Sequence, residues 1–284
     1  MKTISLPQGE TLPSIGLGTW RLGEAARSRS AEVAALRLAV EIGYRVFDSA
    51  EMYGEGGAEQ VLGQALAEAL RANVVRRDEV FVVSKVYPHN ASRDGAVAAC
   101  ERSLKRLGLD QIDLYLLHWP GPHPLRETVA AFEALRADKR IRHWGVSNFD
   151  TDTMGSLART PGGQHCASNQ VYYSLGERGP EFDLLPWQRE HAMPLMAYSP
   201  LDQGALARDA GLRRIAERLG ATASQVALAW LMARDGVMVI PKAGREVHLR
   251  ENLAARELAL TPADLAEIDS IFPAPRRRSS LAMR

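Results

Sequence analysis

The amino-acid sequence predicts an α/β protein: a single-domain (β/α)8 TIM barrel over residues 1–284, with an N-terminal β-hairpin capping the barrel floor. Three observations predict it. Eight short runs rich in β-branched and aromatic residues alternate with longer amphipathic helical stretches, and parallel strands need such crossovers. The central runs are apolar on both faces, as expected where helices cover a parallel sheet. Eight such units in 284 residues suit a closed barrel better than an open doubly wound sheet.

The opening segment, ISLPQGETLPSIG, sets turn residues between short β-like pieces and supplies the expected hairpin. Strands follow in IGLGTW (15–20), RVFDSA (45–50), VFVVSKV (80–86) and DLYLLHW (113–119). The series continues in HWGVSN (143–148), SNQVYY (168–173), PLMAYSP (194–200) and VMVIPKA (237–243). Helical periodicity marks 31–43, 58–70, 92–108, 124–138, 182–191 and 221–236 between them. No linker or low-complexity stretch divides the chain, so one domain is expected, with 273–284 as a flexible tail.

Composition excludes several function classes. With 46% hydrophobic and 24% charged residues, the chain reads as a soluble globular protein with a substantial core. A formal net charge of +1 argues against a nucleic-acid surface, and the one basic cluster, Arg276 to Arg278, reads as part of a solvated tail. Cys100 and Cys166 are too few for a disulfide framework and lack metal-ligand spacing, which suits a reducing cytosol. The N-terminus has no apolar run of signal-peptide length, and no later run approaches a membrane span. A cytoplasmic protein without membrane partners is expected. No large apolar stripe is left over, so a monomer is the default.

Four polar residues stand where hydrophobic strands end. Asp48 closes RVFDSA with Tyr53 just beyond it, Lys85 lies near the end of VFVVSKV, and His118 near that of DLYLLHW. Strand alternation puts Asp48 on the face of Val46, Lys85 on that of Phe81 and Val83, and His118 on that of Leu114 and Leu116. In a (β/α)8 barrel the active site forms at these carboxyl ends. Buried Lys and Asp need partners, so an Asp48–Lys85 ion pair with Tyr53 beside the ammonium is the economical arrangement. A free tyrosine has a pKa of about 10. A neighbouring cation is expected to lower it and make Tyr53 a usable general acid. His118 is placed to donate a hydrogen bond to a carbonyl oxygen. The set suits protonating an oxygen as negative charge develops on it.

The segment GYRVFDSAEMYGEGGAEQVLG (43–63), with the spacing on to Lys85 and His118, strongly resembles the first signature of the aldo-keto reductases. The resemblance runs from LPSIGLGTW through IPKAGREVHLREN, essentially the whole chain. It implies a barrel that binds NAD(P)H across its mouth and passes hydride to an aldehyde or ketone. Tyr53 would be the proton donor, Lys85 and Asp48 would tune it, and His118 would orient the carbonyl. It also implies nicotinamide contacts from Ser147, Asn148 and Gln170, stacking by Tyr198, and pyrophosphate contacts from Ser199 and Leu201. Lys242, His248, Glu251 and Asn252 match the adenosine end. NADPH is the expected cofactor. NADH stays open because Ala243 stands where a serine often follows the lysine, and His248 where an arginine often grips the 2′-phosphate. Neutral histidine offers one donor and no charge, though Arg245 lies close in sequence.

Trp20 and Trp119 match aromatic positions beside the catalytic mouth. The short loop WPGPHPLRET implies an open pocket for small aldehydes and dicarbonyls, of the methylglyoxal or diketo-sugar-acid kind. Two other classes compete. One is a regulatory or redox-sensing subunit that binds NADPH without turnover; retention of all four catalytic types argues against it. The other is a metal-dependent barrel enzyme using Asp48 and His118, but the remaining strand ends offer Asn148, Gln170, Ser199 and Lys242 rather than further ligands. No G-x-G-x-x-G is present, since GLGTWR (16–21) fails at its last position, which disfavours a doubly wound dinucleotide fold.

Overall fold

The computed structural model describes residues 2–25 and 28–284. The chain opens with an antiparallel hairpin, β1 (Thr3–Ser5) and β2 (Thr11–Pro13). Eight parallel strands follow: β3 (Leu17–Gly18), β4 (Val46–Asp48), β5 (Phe81–Val86), β6 (Ile112–Leu117), β7 (Ile141–Ser147), β8 (Asn169–Tyr172), β9 (Leu195–Tyr198) and β10 (Val237–Ile240). They pair in sequence order from β3 to β10. Isolated parallel bridges Ile15–Val239 and Gly18–Lys242 bring the first and last together. The result is a (β/α)8 barrel.

Ten α-helices lie among the described residues. They are α1 (Arg29–Ile42), α2 (Gly57–Arg71), α3 (Arg93–Leu107), α4 (Leu125–Ala137), α5 (Thr151–Ala158), α6 (Leu184–Glu190), α7 (Ala210–Arg218), α8 (Ala223–Met232), α9 (Glu246–Ala254) and α10 (Pro262–Ile271). Local signals set their ends. Ser92 caps α3 by accepting from the Gly95 N–H, and Gly108 stops it in a left-handed conformation. Thr222 with Gln225, and Thr261 with Asp264, form reciprocal capping boxes at the starts of α8 and α10.

The core has two shells, and strand alternation separates them. Val46, Phe81, Val83, Leu114, Leu116, Met196 and Met238 fill the barrel interior. Phe47, Val82, Val86, Tyr115 and Leu117 point outward into the layer under the helices. Ile4, Leu6 and Leu12 of the hairpin join the interior cluster and plug the floor. Water is thus kept from one end of the barrel, and the polar strand ends lie at the other. No helix among the described residues is long and apolar enough to cross a membrane.

Candidate active site

Asp48 ends β4, and its neighbours in the barrel deliver the rest of the site. Lys85, on β5, is fully buried and carries three donors. Its ammonium donates to Asp48 Oδ2 at 2.8 Å, to the Ser49 carbonyl at 2.8 Å and to Tyr53 Oη at 3.3 Å. All three hydrogens are therefore committed within the protein. Asp48 is held from its other side by Gln170 Nε2, which donates to Oδ1 at 2.8 Å.

Tyr53 is positioned by the turn that follows it. Gly54, Glu55 and Gly56 all adopt positive φ (56°, 53° and 89°), a run that the glycines of YGEGG make accessible. The turn folds back onto α2 and sets the phenol beside the ammonium, whose nitrogen lies 4.8 Å from the ring centroid. Because the phenolic oxygen accepts from Lys85, its own proton is free to point into the cavity. The expected lowering of the Tyr53 pKa is not the net outcome. Burial pushes it up, Lys85 pulls it down, and the Asp48 carboxylate pushes it up again, leaving it above the ordinary tyrosine value. Asp48, by pairing with Lys85, blunts the cation that was expected to acidify the phenol. For Lys85 itself, burial disfavours the charge, but Asp48 and Tyr53 outweigh it and keep the ammonium protonated.

His118 follows β6 and packs edge-on against Tyr53, with ring centroids 5.7 Å apart. Burial, assisted by Lys85, lowers its pKa well below the ordinary value, so the imidazole is neutral at pH 7. Its Nδ1 is buried without a partner among the described residues. The Asn148 amide donates to the His118 carbonyl at 3.0 Å and to Ser147 Oγ at 3.1 Å. Tyr198 Oη in turn donates to Asn148 Oδ1 at 2.9 Å.

These groups face one cleft of about 890 Å³. Asp48, Tyr53 and His118 line it, with Lys85 buried behind them. Trp20 and Trp119 stand at the same end. Ser147, Asn148, Gln170, Tyr198, Ser199 and Leu201, from the ends of β7, β8 and β9, line it as well, as do Lys242, His248, Glu251 and Asn252 from the β10–α9 end. Arg245, beside that end, donates to His248 Nε2 at 2.6 Å, so the imidazole holds a guanidinium there. Three contributions had no signal in a strand-end reading. The start of α8 enters the cleft through Thr222 to Ser224, Gln203 and Gly204 extend the loop after β9, and Met283 and Arg284 arrive from the chain's last residues. Helical periodicity over 221–236 placed that helix in the sequence, but not its first turn in the cleft. Among the described residues no group of three or more His, Cys, Asp or Glu side chains is placed to hold a metal ion.

The family model that matches this chain is that of the aldo/keto reductase family, over residues 14–272. The sequence is 48% identical over 287 residues to methylglyoxal reductase YeaE of Escherichia coli, covering 99% of each chain. It is 34% identical over 259 residues to methylglyoxal reductase DkgB of Salmonella typhi, covering 89% of this chain and 91% of that protein. An aldo/keto reductase from Klebsiella pneumoniae, crystallised with NADP and acetate, superposes with a TM-score of 0.94 at 46% identity; 100% of this chain and 99% of that one are covered.

Proposed function

The chain belongs to the aldo/keto reductase family of oxidoreductases, and from that footing we propose that it reduces small aldehydes and ketones, dicarbonyls such as methylglyoxal included, with NADPH and with Tyr53 as proton donor. The observation that carries this reading is the saturated ammonium of Lys85. Its three bonds fix Asp48, the Ser49 carbonyl and Tyr53 together and leave the phenolic proton as the one directed at the cleft.

The residues present fit the cofactor. Gln170 uses one amide hydrogen on Asp48 and keeps Oε1 free among the described residues, which suits a carboxamide NH2. The Tyr198 ring is backed by Tyr172, with centroids 5.9 Å apart and planes 22° from parallel, so its other face is available for stacking. Lys242 lines the β10–α9 end and forms no ion pair among the described residues, while His248 steadies Arg245 beside it. Two cations at that end favour a 2′-phosphate and hence NADPH over NADH. When bound, the dihydronicotinamide supplies hydride to the carbonyl carbon.

The protein's own groups handle the oxygen. Neutral His118 offers one N–H to the carbonyl oxygen and orients it without adding a charge. As negative charge grows on that oxygen, Tyr53 releases its proton to it, and the resulting phenolate is stabilised by Lys85 at 3.3 Å. Burial keeps Tyr53 protonated across the physiological range, and Lys85, the neighbour that pulls its pKa down, favours release of that proton as the oxygen takes on charge. Exposed Trp20 and half-buried Trp119 flank the opening and suit a small, weakly constrained substrate.

The test is a titration with NADPH and with NADH, followed by tryptophan fluorescence, and then addition of methylglyoxal with absorbance read at the nicotinamide band. Binding with NADPH oxidation is expected. Binding without turnover across a panel of aldehydes would make the protein a nucleotide sensor rather than a reductase.

A further inference from the structure

Between Asp48 and Tyr53 stands a further buried carboxylate, Glu51, which is not part of the cleft lining. It grips the end of β5 at two points. Past Asp48 the β4–β5 ladder continues, with the Ser49 N–H donating to the Val83 carbonyl at 2.9 Å and the Glu51 N–H to the Lys85 carbonyl at 3.2 Å. In a parallel ladder the next rung would run from the Tyr87 N–H to the Glu51 carbonyl. The chain instead turns helical at Met52, and the Glu51 side chain takes that rung: its Oε1 accepts from the Tyr87 N–H at 2.7 Å. The same oxygen accepts from Asn90 Nδ2 at 3.0 Å, and Oε2 lies 3.5 Å from the Arg102 guanidinium on α3.

The consequence for the proton donor is geometric. Tyr53 stands two residues beyond Glu51, and Lys85 two residues before Tyr87. The two bonds from Glu51 therefore span the same gap across which the Lys85 ammonium meets Tyr53 Oη. At 3.3 Å that contact is longer than the two 2.8 Å bonds from the same ammonium, so a small displacement would break it first. The turn at Tyr53–Gly56 has no side-chain cap of its own. It also holds Glu55 at a φ of 53°, which a non-glycine residue keeps only where its surroundings impose it. On its far side Tyr87 meets Trp119 edge-on, with centroids 5.7 Å apart, and Trp119 lies 4.9 Å from His118. One carboxylate thus joins the segment that carries Tyr53 to the loop that backs His118.

We propose that Glu51 is a positioning residue for the proton transfer: by clamping Tyr87 and Asn90 it fixes the Lys85–Tyr53 contact, and with it the stabilisation that the forming phenolate receives. The inference rests on the reading of Tyr53 as proton donor. Glu51 acts through the place of the phenol and not on the substrate, since it does not line the cleft. Its bond to the Tyr87 N–H is charge-assisted and directional, which suits it to hold a short distance.

Single-turnover oxidation of bound NADPH by methylglyoxal, run in water and in deuterium oxide, tests the clamp in the wild type, Glu51→Ala, Glu51→Gln and Asn90→Asp. In Glu51→Ala the rate should fall about 30-fold through misplacement of the phenol, with NADPH affinity changed by less than about twofold. The solvent isotope effect should rise, because proton transfer then limits the rate more fully. Glu51→Gln keeps an acceptor for the Tyr87 N–H and should recover most of the rate. Asn90→Asp sets a second carboxylate against Glu51; it should reproduce part of the loss, and it carries the test should Glu51→Ala not fold. Added to Tyr53→Phe, Glu51→Ala should slow the reaction no further, because it acts through the phenol. A wild-type rate and isotope effect in Glu51→Ala, or in Asn90→Asp where the alanine variant does not fold, would overturn the clamp, as would a further loss in the double variant. Near wild-type turnover in Tyr53→Phe would overturn the proton-donor reading, and the clamp with it, whereas an inactive Tyr53→Phe beside an unaltered Glu51→Ala overturns the clamp alone.

Discussion

Both ends of the barrel bury charged groups, but only the mouth opens them to a cleft. At the floor, Glu10 of the hairpin loop bonds His143 and Arg142, each at 2.7 Å. Arg142 reaches Asp113 at 3.1 Å, and Asp113 accepts from Arg77 at 2.7 Å and from the Val82 N–H at 2.8 Å. Every carboxylate there meets a cation of the protein, and Ile4, Leu6 and Leu12 seal the interior above it. At the mouth, Lys85 and Asp48 are just as tightly paired, yet Tyr53 keeps a free proton, Gln170 a free acceptor and His118 a partnerless nitrogen. Buried polar groups are normally satisfied. At the floor Asp113 Oδ1, reached only by the ion pair with Arg142, also lacks a hydrogen bond. The difference therefore teaches that chemistry is sited where an incomplete network faces a cleft, here one of about 890 Å³.

The strongest way to break the comparison is Tyr53→Phe. It removes one proton donor while leaving Lys85 bonded to Asp48 and Ser49, so turnover should fall by about a thousandfold, with NADPH affinity changed by less than about twofold. Steady-state kinetics beside a binding titration checks this. Near wild-type turnover would move the acid elsewhere in the cleft.

Lys85→Met tests the pair itself. Asp48 would keep Gln170 but lose its cation, and breaking a buried pair costs about 3–5 kcal/mol. Urea unfolding should register that loss, together with a collapse of activity. A variant as stable as the wild type would mean that Asp48 takes up a proton and tolerates isolation.

How far the sequence foretold these two ends differs for a physical reason. Strand termini were legible because period-two alternation carries Val46 to Asp48, Phe81 to Lys85 and Leu114 to His118 on a single face, and the hairpin because its turn residues separate two short apolar pieces. Four helices, α5, α7, α9 and α10, were harder to see. In α7 the buried positions Leu212, Ile215 and Ala216 do stand at helical spacing, but the helix is only nine residues long, and α9 buries only Leu249, Asn252 and Leu253. The sequence shows the pull of Lys85 on the Tyr53 pKa but not the cost of burying the phenol, which reverses the net direction. Arg284 was invisible, since its partner Asp202 lies far away in sequence and only the folded chain brings them together.

His118→Gln gives a smaller, pH-dependent effect. The native imidazole resists protonation well below the ordinary histidine value, because burial and Lys85 disfavour its charge. The unfolded chain binds that proton near pH 6.5 and the native protein does not. Stability from this residue is therefore present above about pH 6.5 and is lost as the pH falls, by up to about 1.4 kcal/mol per pH unit. Urea unfolding at pH 7.5 and 5.5 should show a steeper loss in the wild type than in His118→Gln. Equal slopes would mean that His118 is free to charge in the native state.

The smallest effect should come from the floor, and it sharpens the comparison most. Glu10→Gln weakens contacts to His143 and Arg142 that are partly exposed to solvent, where an ion pair is worth about 1 kcal/mol or less. Asp113 keeps Arg77 and the Val82 N–H, so no buried carboxylate is stranded. Stability should drop by no more than that amount, with kcat and KM for methylglyoxal unaltered, because the sealed interior stands between Glu10 and Tyr53. A loss of kcat without loss of stability would show that the hairpin acts on the mouth through the barrel strands. The floor would then be part of the catalytic apparatus, and the distinction between a sealed and an open network would fail.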